Sequence, residues 1–224
     1  MSGILIIDKP LNITSMDVIR RLRKITGIKK IGHAGTLDPL ATGVLVVALS
    51  KKYTKRINEI MSTKKRYETE INLSAFSETD DAEGKKDYIV VNKKPTINEV
   101  KNVLKKFIGE IDQVPPIYSA IKINGKKAYD LARKGELIKM KKRKVFIEDI
   151  KLISYDYPSL RIKVKCGKGT YIRSLGRDIG KSLNTGGYLT FLRRTKVGKF
   201  SIENSVKLDD LNENNYEKFL LKMS

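Results

Sequence analysis

Asp38, a residue type able to do covalent or general acid–base work, lies within the glycine-bounded stretch Gly32-His33-Ala34-Gly35-Thr36-Leu37-Asp38-Pro39-Leu40-Ala41-Thr42-Gly43. Pro39 biases Asp38 away from the α region, which predicts an extended or turn backbone beneath the carboxylate. Gly32, Gly35 and Gly43 allow close approach that side chains would block. The apolar run from Val44 to Leu49 predicts a buried strand, a stiff mount for the loop. An isolated Asp-Pro reads most simply as a turn cap. The setting changes that reading, because the chain of 224 residues carries 46 Lys+Arg against 25 Asp+Glu, a formal charge of +21. Phosphates penalise a carboxylate at such a surface unless it reacts or pairs with an arginine.

That charge makes a polyanion the expected partner, nucleic acid above all. Cys166 is the single cysteine and His33 the single histidine. An intrachain disulfide, a clustered thiolate metal site and a multi-histidine metal site are thereby excluded. A Ser-His-Asp mechanism would have to use His33, and no nucleophile-elbow motif is present. The N-terminal stretch Met1 to Ile7 is too short and too weakly flanked for a signal peptide, and no apolar run reaches membrane-spanning length. The expectation is a cytoplasmic protein with no membrane partner, no metal and no cofactor.

The elements that must position Asp38 read as mixed α/β. Ile4-Leu5-Ile6-Ile7 predicts a strand stopped at Lys9-Pro10, with Lys9 at its mouth, where an ordinary surface lysine is the simplest reading. Thr14 and Asp17 form a capping box for a helix with Val18, Ile19, Leu22 and Ile25 inward, and Gly27 is placed to end it. Tyr67, Ile71 and Leu73 share one face of an alternating strand, which makes Tyr67 a core or rim residue on pattern alone. Residues 77–87, rich in charge, read as a flexible loop. Thr96 and Glu99 form a second capping box, with Gly109 as the helix stop.

Residues 122–144 carry Lys122, Lys126, Lys127, Arg133, Lys134, Lys139, Lys141, Lys142, Arg143 and Lys144 against Asp130 and Glu136. Tyr118 and Tyr129 lie in or beside this run, a pattern suited to phosphates and stacked bases. Leu131, Leu137 and Ile138 argue for a folded hairpin-like element over a disordered linker. Leu160, Ile162, Val164 and Cys166 alternate with Arg161, Lys163 and Lys165, so Cys166 reads as core. Tyr171-Ile172-Arg173 leads into a helix, and whether Arg173 is exposed or meets a carboxylate stays open. The tail from Glu203 is not basic. No recognition helix, zinc finger or basic zipper is present, so RNA is favoured over duplex DNA, with tyrosines for unstacked bases. Lacking zinc ligands to activate water, the inventory fits a rearrangement that adds no atoms.

The Asp38 loop resembles the signature loop of the TruB family of tRNA pseudouridine-55 synthases. Asp8-Lys9-Pro10, Lys65-Arg66-Tyr67, Pro115-Pro116-Ile117-Tyr118-Ser119-Ala120, Gly125-Lys126-Lys127-Ala128-Tyr129, Lys168-Gly169-Thr170-Tyr171-Ile172-Arg173 and Leu192-Arg193-Arg194 fall in the family's order. The likeness is to its bacterial stand-alone branch. It implies a pseudouridine synthase fold, a mostly antiparallel mixed sheet flanked by helices. The catalytic domain would span residues 1–202, with a basic thumb near 114–144, and 203–224 would be a short tail without the PUA-type domain common in the family.

By the same resemblance Asp38 is the catalytic carboxylate, Arg173 its partner, and Tyr67 the residue stacked on the target base. Tyr171 and Leu192 line the base pocket, Lys9 supports the site, and His33 wedges into the T loop of tRNA. Lys126, Lys127 and Arg133 belong to the thumb that meets the T arm. The implied protein is a monomer needing no protein partner. The alternative is a non-catalytic tRNA-binding or RNA-folding protein on the same scaffold. A subunit of a guide-RNA complex is the weaker third reading.

Overall fold

The structure, a computed structural model, describes residues 2–123, 125–136 and 138–222, without the side chains of Lys127 and Arg133. In chain order the elements are β1 (Gly3–Lys9), α1 (Ser15–Thr26), β2 (Ile31–His33), β3 (Ala41–Leu49), α2 (Lys51–Thr54), α3 (Ile57–Met61) and β4 (Lys65–Asn72). Then come β5 (Ala75–Ser77), β6 (Lys86–Tyr88), α4 (Ile97–Lys106), β7 (Gly109–Gln113), β8 (Lys122–Ile123), β9 (Lys126–Lys127) and α5 (Ala128–Arg133). The chain closes with β10 (Arg143–Asp156), β11 (Ser159–Cys166), α6 (Ile172–Ser182), β12 (Tyr188–Val197), β13 (Phe200–Ser201) and β14 (Val206–Lys207). Packing divides it into two compact units, residues 1–68 with 191–224, and residues 69–190.

In the first unit β1 pairs antiparallel with β3 and parallel with β14, while β12 runs parallel to β3. β2 adds antiparallel to β3. The sheet is mixed and covered on both faces. Leu5, Ile7, Leu45, Val47 and Leu49 pack one way onto Val18, Ile19 and Leu22 of α1, together with Val206, Leu208, Leu211 and Tyr216. Ile4, Ile6, Val44, Val46 and Ala48 pack the other way, with Tyr53, Ile60, Val197 and Phe200. Double-sided burial is why β1 and β3 read as continuous apolar runs and do not alternate. α1 begins on the expected capping box, with Thr14 Oγ1 accepting from the Asp17 N–H at 3.1 Å and Asp17 Oδ2 accepting from the Thr14 N–H at 2.8 Å. It ends on Gly27 in the left-handed region, at φ 69°.

In the second unit β10 pairs antiparallel with β11 and β7. Leu160, Ile162, Val164 and Cys166 are all buried, as alternation predicts. Thr96 and Glu99 form the second capping box, but α4 does not run to Gly109. Phe107 caps it, and Gly109 opens β7 with φ 103°. The basic run folds as the β8–β9 hairpin followed by α5, with Ala128 and Leu131 buried; Leu137 lies outside the described residues. Residues 77–87, expected to be a loop that could carry flexibility, instead span the end of β5, the turn of the β5–β6 hairpin and the start of β6, with Asp80 and Asp81 each only 5% exposed. Among the described residues no helix is long and apolar enough to cross a membrane.

Candidate active site

The loop between β2 and β3 presents Asp38 half-buried, and its backbone is tied down on both sides. The Ala34 N–H donates to Val46 O at 2.8 Å, and the Ala41 N–H closes a turn on Asp38 O at 3.0 Å. Ser15, buried at the start of α1, accepts from the Leu37 N–H at 2.9 Å and donates to Leu37 O at 3.1 Å. The Asn12 N–H reaches Pro39 O at 2.9 Å. A loop whose polar backbone is satisfied in this way is tied to the elements on either side of it.

Two buried cations lie under the loop. Lys9 is 0% exposed, and its Nζ donates to Ile13 O at 2.7 Å, Pro10 O at 2.8 Å and Pro39 O at 3.4 Å. Burial lowers its pKa to about 8, assisted by the Arg194 charge and opposed by the carboxylates of Asp38 and Asp17. Arg194 is 2% exposed and donates to Val44 O at 2.8 Å, Gly35 O at 3.0 Å and Thr36 O at 3.4 Å. Gly43 makes this approach possible: it pairs with Arg194 across β3 and β12, and a Cβ there would stand 2.3 Å from Arg194 O. His33, at the end of β2, is half-buried. Burial foremost and the Arg194 charge next push its pKa below the ordinary histidine value.

In the second unit a buried polar cluster surrounds the start of α6. Arg173 is 6% exposed; it donates to Thr79 O and Tyr118 O, each at 2.9 Å, and meets Asp81 Oδ2 at 3.4 Å. Arg177 pairs with Asp80 at 2.6 Å and donates to Val114 O at 2.8 Å. Burial pushes the Asp80 carboxyl up, against the pull of Arg177 and Arg173. Gln113, fully buried, accepts from the Tyr171 N–H at 2.8 Å and donates to Tyr171 O at 3.1 Å. The guanidinium of Arg143 lies 4.8 Å from the Tyr171 ring centre. The helix start carrying Tyr171 and Arg173 is thus held by the β5–β6 turn and by the segment entering the basic insertion. Among the described residues no three His, Cys, Asp or Glu side chains gather as metal ligands would.

A family model described as the TruB family pseudouridylate synthase N-terminal domain matches residues 23–172. The tRNA pseudouridylate synthase B C-terminal domain matches residues 173–222. The chain belongs to the TruB family. It is 47% identical over 221 residues to tRNA pseudouridine synthase B of Clostridium tetani, covering 99% of this chain and 76% of that protein. Its match to the protein of the same name from Phocaeicola vulgatus is 44% identical and covers 94% of this chain and 92% of that one. Among solved structures it is similar to a chain of a Cbf5-Nop10-Gar1 complex, with a TM-score of 0.73 and 30% identity over 93% of this chain and 53% of that one. The chain therefore spans about half the length of that solved chain.

Of the residues the TruB resemblance singles out, Lys9, His33, Asp38, Tyr67 and Leu192 belong to the first unit, and Lys126, Tyr171 and Arg173 to the second. Lys9 is a buried lysine within charge reach of Asp38, where strand pattern alone suggested a surface residue. Leu192 pairs with Ala41, the residue that ends the Asp38 loop, and Tyr67 is half-buried on β4. Lys126 is exposed on β9, and the side chains of Lys127 and Arg133 lie outside the described residues. Sequence reasoning missed Ser15, Arg194, Gln113, Asp80, Asp81 and Arg177. Leu192-Arg193-Arg194 contains one of them, but two adjacent arginines give no sign of which points inward.

Proposed function

We propose that this TruB family protein isomerises the uridine at position 55, in the T loop of tRNA, to pseudouridine, with Asp38 as the catalytic carboxylate. The observation that carries the reading is the Asp38 loop itself. A carboxylate is fixed on a clamped turn, over buried cations, in a family whose relatives are named as tRNA pseudouridine synthases. The reaction breaks the bond between uracil N1 and ribose C1′. The detached base turns and rejoins through C5, which loses its proton while N1 gains one. Asp38 acts in ionised form at the C1′–C2′ region, and Arg173 is assigned to hold that charge. Tyr67 stacks on the base and assists removal of the C5 proton; Tyr171 and Leu192 line the pocket.

Extruding the nucleotide costs a few kcal/mol, and one stacked aromatic returns about 1–3 kcal/mol. His33, whose half-buried ring is pushed toward its neutral form chiefly by burial, suits a wedge filling space among unstacked bases. The basic insertion over residues 114–144, with Lys126, Lys127 and Arg133, supplies phosphate contacts to the T arm. The test is to incubate the purified protein with unmodified tRNA and map the product nucleotide. Pseudouridine at the T-loop position supports the reading. tRNA bound tightly but left unmodified overturns it in favour of an RNA-folding protein.

A further inference from the structure

Arg194 is among the largest fully buried side chains of the protein, yet its guanidinium faces backbone carbonyl oxygens. Burying an arginine this way is costly unless its donors are matched. Here they are matched by Gly35 O and Thr36 O on one side of Asp38 and by Val44 O on the other. The planar fork spans the two ends of the loop, which a lysine ammonium cannot do. Its backbone is equally fixed, since it crosses Gly43 at a separation that admits no side chain. The loop therefore closes around the guanidinium.

From this arrangement we infer that Arg194 is the positioning residue of the Asp38 loop. By gripping the carbonyls that flank Asp38 it sets where the carboxylate stands, and it touches neither substrate nor reacting atoms. The inference rests on the function proposed above, and it specifies how that carboxylate is held. A displacement of about 1 Å at a reacting group costs on the order of 100-fold in rate.

The test compares wild type with Arg194→Lys and Arg194→Met in single-turnover pseudouridine formation and in tRNA binding. His33, the sole histidine, serves as an NMR reporter beside the loop. Arg194→Lys is expected to slow the single-turnover step about 100-fold while tRNA affinity changes less than about twofold. Arg194→Met removes a charge that lowers the His33 pKa, so His33 should then titrate higher than in wild type. A wild-type rate in Arg194→Lys overturns the inference, as does loss of rate and affinity in equal proportion. So does a His33 titration unmoved in Arg194→Met. Should either variant fail to fold, amide hydrogen exchange in the wild-type protein decides: the Leu37 and Ala41 amides, bonded to Ser15 Oγ and Asp38 O, should exchange as slowly as those of β3, and free exchange there contradicts a gripped loop. Failure of wild type to form product instead refutes the function, so the two failures are distinguishable.

Discussion

Lys9 links the buried electrostatics of the loop to a measurable stability. Its pKa is about 8 in the folded protein against the ordinary 10.5, chiefly because the ammonium is removed from water. In the unfolded chain the lysine keeps its proton up to the ordinary value, so between pH 8 and 10.5 the unfolded state binds more protons than the folded one. Stability must then rise with pH across that window, the burial penalty being complete below pH 8 and relieved above 10.5. The gap between the two pKa values corresponds to roughly 3 kcal/mol. The perturbation is Lys9→Met, which removes the titrating group, and the assay is urea unfolding of both proteins at pH 7.5, 9 and 10.5. The stability of wild type minus that of Lys9→Met should increase by up to roughly 3 kcal/mol over this range. Groups other than Lys9 occur in both proteins and cancel in the difference. A difference that stays flat with pH would refute the claim that Lys9 is a desolvated cation under the Asp38 loop.

Other consequences concern the second unit and the basic insertion. Arg177→Met leaves Asp80 buried without its ion-pair partner and should cost about 3–5 kcal/mol, a drop of about 6–20 °C in melting temperature. Adding Asp80→Asn should return part of that loss, and strictly additive effects in the double-mutant cycle would mean the two side chains do not interact. Neutralising Lys126, Lys127 and Arg133 together should flatten the slope of log affinity for tRNA against log salt by about 2–3. An unchanged slope would show that the insertion makes no phosphate contacts.

The parts of the fold legible in the sequence are those set by local chemistry. The Thr14–Asp17 and Thr96–Glu99 boxes and the left-handed Gly27 act within a few residues, and each appears as expected. The alternation of β11 correctly put Cys166 inside. The β5–β6 turn was not legible, because a run of Asp, Glu, Lys and Gly normally stays in water. Asp80 and Asp81 go inside where Arg173 and Arg177, more than ninety residues later in the chain, meet them. Residues 206–216 are similar: Val206, Leu208, Leu211 and Tyr216 follow no regular period in an acidic stretch, yet they pack into the core against α1. At the candidate site, the loop residues were visible from glycine and proline chemistry. The buried state of Lys9 and the grip of Arg194 depend on partners that strand pairing alone brings near.

Central to the whole account is a single carboxylate doing chemistry on RNA. Tritium release from tRNA carrying 5-³H-uridine, measured for wild type and Asp38→Asn beside tRNA binding by each, tests it most directly. The account predicts release by wild type, none above background by Asp38→Asn, and comparable binding by both. Full tritium release by Asp38→Asn would contradict it.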